Sequence, residues 1–175
     1  MTVSPGALRR AAMPFRAVDV ALFTGSGSDF QRHHLLPRQV LVARGFRGMV
    51  EHLSPRRIGI HDFARNGLLL PASEDGATRL GLPLHRGPHR AYTEMVRERI
   101  GTIEAGWQAG RQRSGDRADQ VALAALDALQ RSLRRHLLDP GSWRSAPLNR
   151  RDPALDFARL DALADLLWGA TRWTG

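Results

Sequence analysis

The sequence predicts an α+β fold, on three observations. The stretch "IGIHDFARNGLLLPAS", Ile58 to Ser73, alternates in polarity and ends in a β-rich run, which places a strand at Leu68 to Leu70 with Asn66-Gly67 as a turn signal. The stretch "GDRADQVALAALDALQRSLRRHLLD", Gly115 to Asp139, sets Val121, Leu123, Leu126, Leu129, Leu133 and Leu137 in a broad apolar stripe behind Asp116 as a candidate N-cap, the pattern of an amphipathic helix. With 42% hydrophobic and 25% charged residues over 175 positions, the chain has enough apolar material for one real core.

The remaining elements follow in order. Residues 1–15 read as a flexible N-terminus, and "RAVDVALFTG", Arg16 to Gly25, as a strand or a short helical turn. From Arg38 to Leu53, Val42, Phe46, Met49, Val50 and Leu53 recur on one side at helical spacing, despite Gly45 and Gly48; "SPRR" then breaks the helix. "EDGATRLGLPL", Glu74 to Leu84, reads as loop. A helix is expected to start near His85, with Pro88 tolerated in its first turn, and to reach about Gln112 with a candidate break at Gly101. After the Leu-rich helix, a Pro-, Gly- and Ser-containing link from Asp139 to Pro153 leads to a last helix, Ala154 to Thr171. This divides the chain into a core at 16–112 and a helical extension at 113–175, packed on the core or on a partner; the leucine stripe suits an intramolecular helix pair, with a homodimer as the alternative.

Composition narrows the function. The absence of cysteine excludes disulfides, thiolate zinc sites and cysteine nucleophiles, so any metal is held by nitrogen and oxygen. Lys plus Arg number 26 against 17 Asp plus Glu, giving +9, and every basic residue is arginine, whose planar fork suits phosphate. No apolar run approaches the roughly 20 residues of a membrane span. The N-terminus carries no secretory pattern, so no membrane and a cytoplasmic location are expected.

Of seven histidines, two are adjacent in "DFQRHHLLPR", Asp29 to Arg38. Neighbours on a strand point to opposite faces, so one buried surface cannot use both His33 and His34. A second pair, His85 and His89 in "HRGPH", falls on one face if the helix begins at His85, where both rings can grip one ion. With His33 as third ligand, His34 is left across the strand to act as a base.

"RHHLLP", "DFARNGLLLP" and "LHRGPHRAYTEMVRERI", in that order, resemble the AHH branch of the HNH/endonuclease VII nuclease superfamily, the ββα-metal or His-Me finger nucleases, over about Asp29 to Arg99. The resemblance implies a ββα-metal core with a helical insert between its strands, because 31 residues separate His34 from Asn66, and a C-terminal helical extension. It implies His33, His85 and His89 as metal ligands, His34 as general base and Asn66 as the brace of the loop that aims it. Arg32 stands where the family has the alanine of its name. Arg32, Arg38, Arg86 and Arg90 flank the ligands as phosphate contacts, Tyr92 packs beneath the site, with substrate contact as the alternative, and His52, His61 and His136 read as ordinary residues.

The implied activity is endonucleolytic hydrolysis of nucleic acid, DNA ahead of RNA, with one divalent ion (Zn²⁺, Ni²⁺, Mn²⁺ or Mg²⁺) and 5′-phosphate and 3′-hydroxyl products. Two alternatives are a nuclease toxin neutralised by an immunity or inhibitor protein, and a catalytically silent, metal-stabilised nucleic-acid-binding module.

Overall fold

A computed structural model of the chain describes residues 13, 30–85 and 90–139. The expected elements at Arg16 to Gly25 and Ala154 to Thr171, and the link beyond Asp139, lie outside these residues. Strand β1 (Phe30–His34) pairs antiparallel with β2 (Gly67–Pro71), in a register that sets His33 opposite Leu68 and His34 opposite Gly67. Four short helices intervene: α1 (Arg38–Leu41), α2 (Arg44–Leu53), α3 (Pro55–Ile58) and α4 (Phe63–Asn66). After β2 come α5 (Glu74–Leu80), α6 (Arg90–Arg111) and α7 (Gly115–Leu138). The fold is α+β, helix-rich with a small two-stranded sheet.

One core joins the sheet, α1 to α3, α6 and α7. Leu35, Leu36 and Leu70 from the sheet region, Met49 and Leu53 from α2, Tyr92, Val96 and Ile100 from α6, and Leu126, Leu133 and Leu137 from α7 share a single buried cluster. The leucine stripe of α7 is therefore spent inside the chain; Leu123 packs partly against the cluster, while Val121 is exposed. Ser114, not Asp116, occupies the N-cap position of α7, and Asp116 lies in the first turn, where its charge suits the helix dipole. Helix α6 runs unbroken through Gly101.

Two other sequence expectations are corrected. The single helix from Arg38 to Leu53 is split at Val42 and Ala43, and Val42 is 69% exposed. At 3.6 residues per turn, an unbroken helix would put Val40 and Leu41 on about the opposite side from Met49, Val50 and Leu53. All five are buried, which only a change of direction allows. The loop expected at Glu74 to Leu84 holds a helix, α5: the Ser73 hydroxyl accepts from the Gly76 N–H at 3.2 Å, Glu74 and Asp75 sit in the first turn, and Gly81, at φ 61°, ends it.

Asn66 and Gly67 do not make a hairpin turn. Asn66 closes α4 and is fully buried, clamping the exit of β1. Its Oδ1 accepts from the Leu36 N–H at 2.8 Å, its Nδ2 donates to the Ile60 and Leu36 carbonyls at 3.1 and 3.3 Å, and its own carbonyl accepts from the Leu35 N–H at 2.8 Å. Helix α7 supports the clamp. Gln130 Nε2 donates to Asn66 Oδ1 and to the Ile58 carbonyl, each at 3.4 Å, and Arg134 donates to the Ala64 carbonyl at 2.8 Å. Gly67 is required for a different reason than a turn: a Cβ there would lie 2.1 Å from Cδ2 of the Phe63 ring.

Two stability predictions follow from this packing. Asn66→Ala strands the buried Leu36 N–H and Ile60 carbonyl, and should cost about 1–3 kcal/mol for each group left unpaired, read by urea unfolding. Gly67→Ala should destabilise by about 1–3 kcal/mol as the Phe63 ring is displaced; a melting temperature equal to wild type would show that the ring moves away freely.

Candidate active site

The pleat of β1 sorts its side chains. Gln31 and His33 share one face and Arg32 and His34 the other. His33 is buried at 4% exposure, its ring meeting the Tyr92 ring edge-on at 4.9 Å and the His85 ring at 5.0 Å, nearly perpendicular. Tyr92, in the first turn of α6, is itself buried and its hydroxyl donates to the Leu35 carbonyl at 2.7 Å. Burial pushes that phenol far above its usual range, so it stays neutral and ties α6 to the end of β1 beneath the histidines.

His85 reaches the site by a route unlike the one its spacing predicts. It is not helical, since α6 begins at Arg90; its backbone N–H donates to the Pro71 carbonyl at 2.7 Å, extending the edge of β2. The helical i to i+4 argument for His85 and His89 therefore fails at His85, and His89 lies outside the described residues, as does Arg86. His85 nevertheless stands against His33. Its Nδ1 is 2.8 Å from Oε1 of Gln31, on the same face of β1. With the amide oxygen accepting from Nδ1–H, the tautomer that presents Nε2 as the basic nitrogen is favoured, the form in which an imidazole ligates. Gln31 carried no sequence signal beyond its i−2 relation to His33.

Across the strand, half-buried His34 has its pKa held below the ordinary histidine value, first by burial and then by the positive charges of Arg38 and His61. His61, with no functional signal in the sequence, thus belongs to the electrostatic surroundings of His34. The Asn66 clamp acts on Leu35 and Leu36, the two residues that follow His34. Arg32 and Arg38 are exposed near His34, and Arg90 is exposed at the start of α6.

Among the described residues, no group of three His, Asp or Glu side chains that could hold a metal ion is present. The donor chemistry of the pair that is described fits a nitrogen-bound divalent ion. Two imidazoles bound tetrahedrally to one ion at about 2.0–2.1 Å have ring centres about 5 Å apart, against 5.0 Å between His33 and His85. No helix among the described residues is long and apolar enough to cross a membrane.

Nothing among curated proteins or solved structures matches the chain. One family model does, over residues 20–133, well beyond half of the chain: AHH, described as a nuclease family of the HNH/ENDO VII superfamily with conserved AHH. The one adjacent histidine pair of the sequence, His33 and His34, lies in that span and is preceded by Arg32. The matched span takes in both strands, His85, α6 and most of α7, and the chain belongs to the AHH nuclease family of the HNH/ENDO VII superfamily.

Proposed function

We propose that this nuclease is a metal-dependent endonuclease that hydrolyses phosphodiester bonds, DNA in preference to RNA, with His33, His85 and His89 as metal ligands and His34 as general base. One observation carries the reading: β1 turns His33 towards His85 while its neighbour His34 takes the other face. A single strand thereby supplies a ligand and a base that do not compete for one position.

Nucleases of this superfamily generally use a divalent ion, which supplies stabilisation of the charge that builds on the phosphate and on the departing 3′-oxygen. The chain's own residues do the rest. His34, kept neutral by burial and by its cationic neighbours, accepts the proton of the attacking water. Asn66 fixes the backbone just after His34, so that the imidazole keeps its aim while the proton moves. Arg32, Arg38, Arg86 and Arg90 hold flanking phosphates. Attack by water with the 3′-oxygen leaving gives 5′-phosphate and 3′-hydroxyl ends.

The two adjacent histidines should fail differently when replaced. His33→Ala should lose metal affinity and cleavage together. His34→Ala should keep the metal, measured by calorimetry, and lose roughly 10²- to 10⁴-fold in single-turnover cleavage; cleavage at the wild-type rate by metal-loaded His34→Ala would defeat the assignment. Because the His34 pKa is lowered, wild-type activity should hold at neutral pH and fall only below the ordinary histidine value of 6.5, as the base becomes protonated. A rate profile already falling between pH 8 and 7 would point to a different base.

A further inference from the structure

A cavity of about 620 Å³ opens between α2 and the far end of α6, away from His33, His34 and His85 and lined in part by His52. Arg44 and Arg111 line it, and its chemistry is not used by the site described above. Arg111 is not a loose surface cation. Its guanidinium lies 4.7 Å over the Trp107 ring, and Trp107 is buried and anchored, its Nε1–H donating to Asp119 Oδ1 at 2.7 Å. The other oxygen of Asp119 is 2.9 Å from His52 Nε2, so this carboxylate is hydrogen-bonded by Trp107 and His52, while the charge of Arg111 also acts on it. Glu104, the one acidic residue of the lining, accepts a hydrogen bond from Gln108.

The wall formed by α2 adds an independent observation. Gly45 and Gly48 both line the cavity, within a helix where glycine is unfavourable relative to alanine. The fold does not need them bare: a Cβ at either position would meet nothing within 4 Å. Their effect is to leave helix backbone open to whatever enters between the two arginines.

Helix α6 fixes where this cavity lies. Its lining residues on α6 centre near Gln108, about 27 Å along the axis from Arg90 at 1.5 Å per residue. We infer that the cavity between α2 and α6 seats a backbone phosphate of the nucleic-acid substrate, apart from the histidine pair and towards the opposite end of α6. This rests on the endonuclease reading and adds a second anchor to it. The occupant is assigned by charge complementarity: a guanidinium held on an aromatic ring, a second one across the gap, and a chain of net charge +9.

Substrate length tests the inference. Cleavage kinetics should be compared on a duplex of about 24 base pairs, which reaches both places, and on a hairpin with a stem of about six, which does not. The Arg44→Ala/Arg111→Ala double variant should raise KM about tenfold on the long duplex with kcat unchanged, lower the salt slope of its binding in chelator by about 1–2, and leave the hairpin unaffected. Gly48→Glu, which puts a carboxylate into open space on a helix, should keep or raise Tm and likewise raise KM on the long duplex only. Unchanged KM in both variants, or equal loss on both substrates, would overturn the cavity as a phosphate seat while leaving the endonuclease reading standing. A wild-type protein that neither cleaves nor binds either substrate would overturn that reading, and the cavity assignment with it.

Discussion

The arrangement of the histidines depends on one side chain, the buried amide of Asn66. A two-stranded ribbon is marginal by itself, and the pleat of β1 is useful only if its register and its exit are fixed. Asn66 supplies that from the far side of the four-helix insert: its amide and its carbonyl together engage Leu35, Leu36 and Ile60. Slippage by one residue would exchange the faces of His33 and His34. A hydrogen-bonded amide with no solvent to compete makes such slippage expensive.

Around that clamp, aromatic packing and helix support are layered in sequence. Tyr92 holds the base of α6 to Leu35, Leu36 and Leu70 fill the core beneath the sheet, and α7 closes the back with Gln130 and Arg134. The polar chemistry is distributed by the same geometry. On one face of β1, an amide oxygen orients His85 beside His33; on the other, burial and cationic neighbours hold the His34 pKa below the ordinary histidine value. The two adjacent histidines meet different surroundings because a strand has two sides.

Much of this was legible in the sequence, for identifiable reasons. The strand at Leu68 to Leu70 and the helix after Gly115 were readable because their apolar patterns match the periods of the elements they form. The role of Asn66 as a brace was implied by the family resemblance, while its own context, Asn before Gly, pointed to a turn; the close approach of the Phe63 ring to Gly67 is a tertiary fact with no local signature. His85 shows the limit of spacing arguments. Its relation to His33 comes through a backbone bridge to Pro71 and the amide of Gln31, neither of which has a periodicity. The break between α1 and α2 has no signature at helical spacing, because Val42, Phe46, Met49, Val50 and Leu53 form a longer apolar stripe that runs straight across it. Helix α5 has its capping serine and acidic first turn plainly in "SEDG", but so short a segment carries too little apolar content to show a helical period.

The dependence of the clamp on α7 also sets an order in time. Gln130 contacts Asn66 across 64 positions and Ile58 across 72. At about 5–20 residues per second of synthesis, the histidine strand leaves the ribosome several seconds before the helix that buttresses its neighbour exists. A nascent chain in that interval carries the histidines of the site without the finished scaffold that aims them. Completion of the geometry around the histidines is thus deferred to a late step of biosynthesis, a form of latency written into contact order.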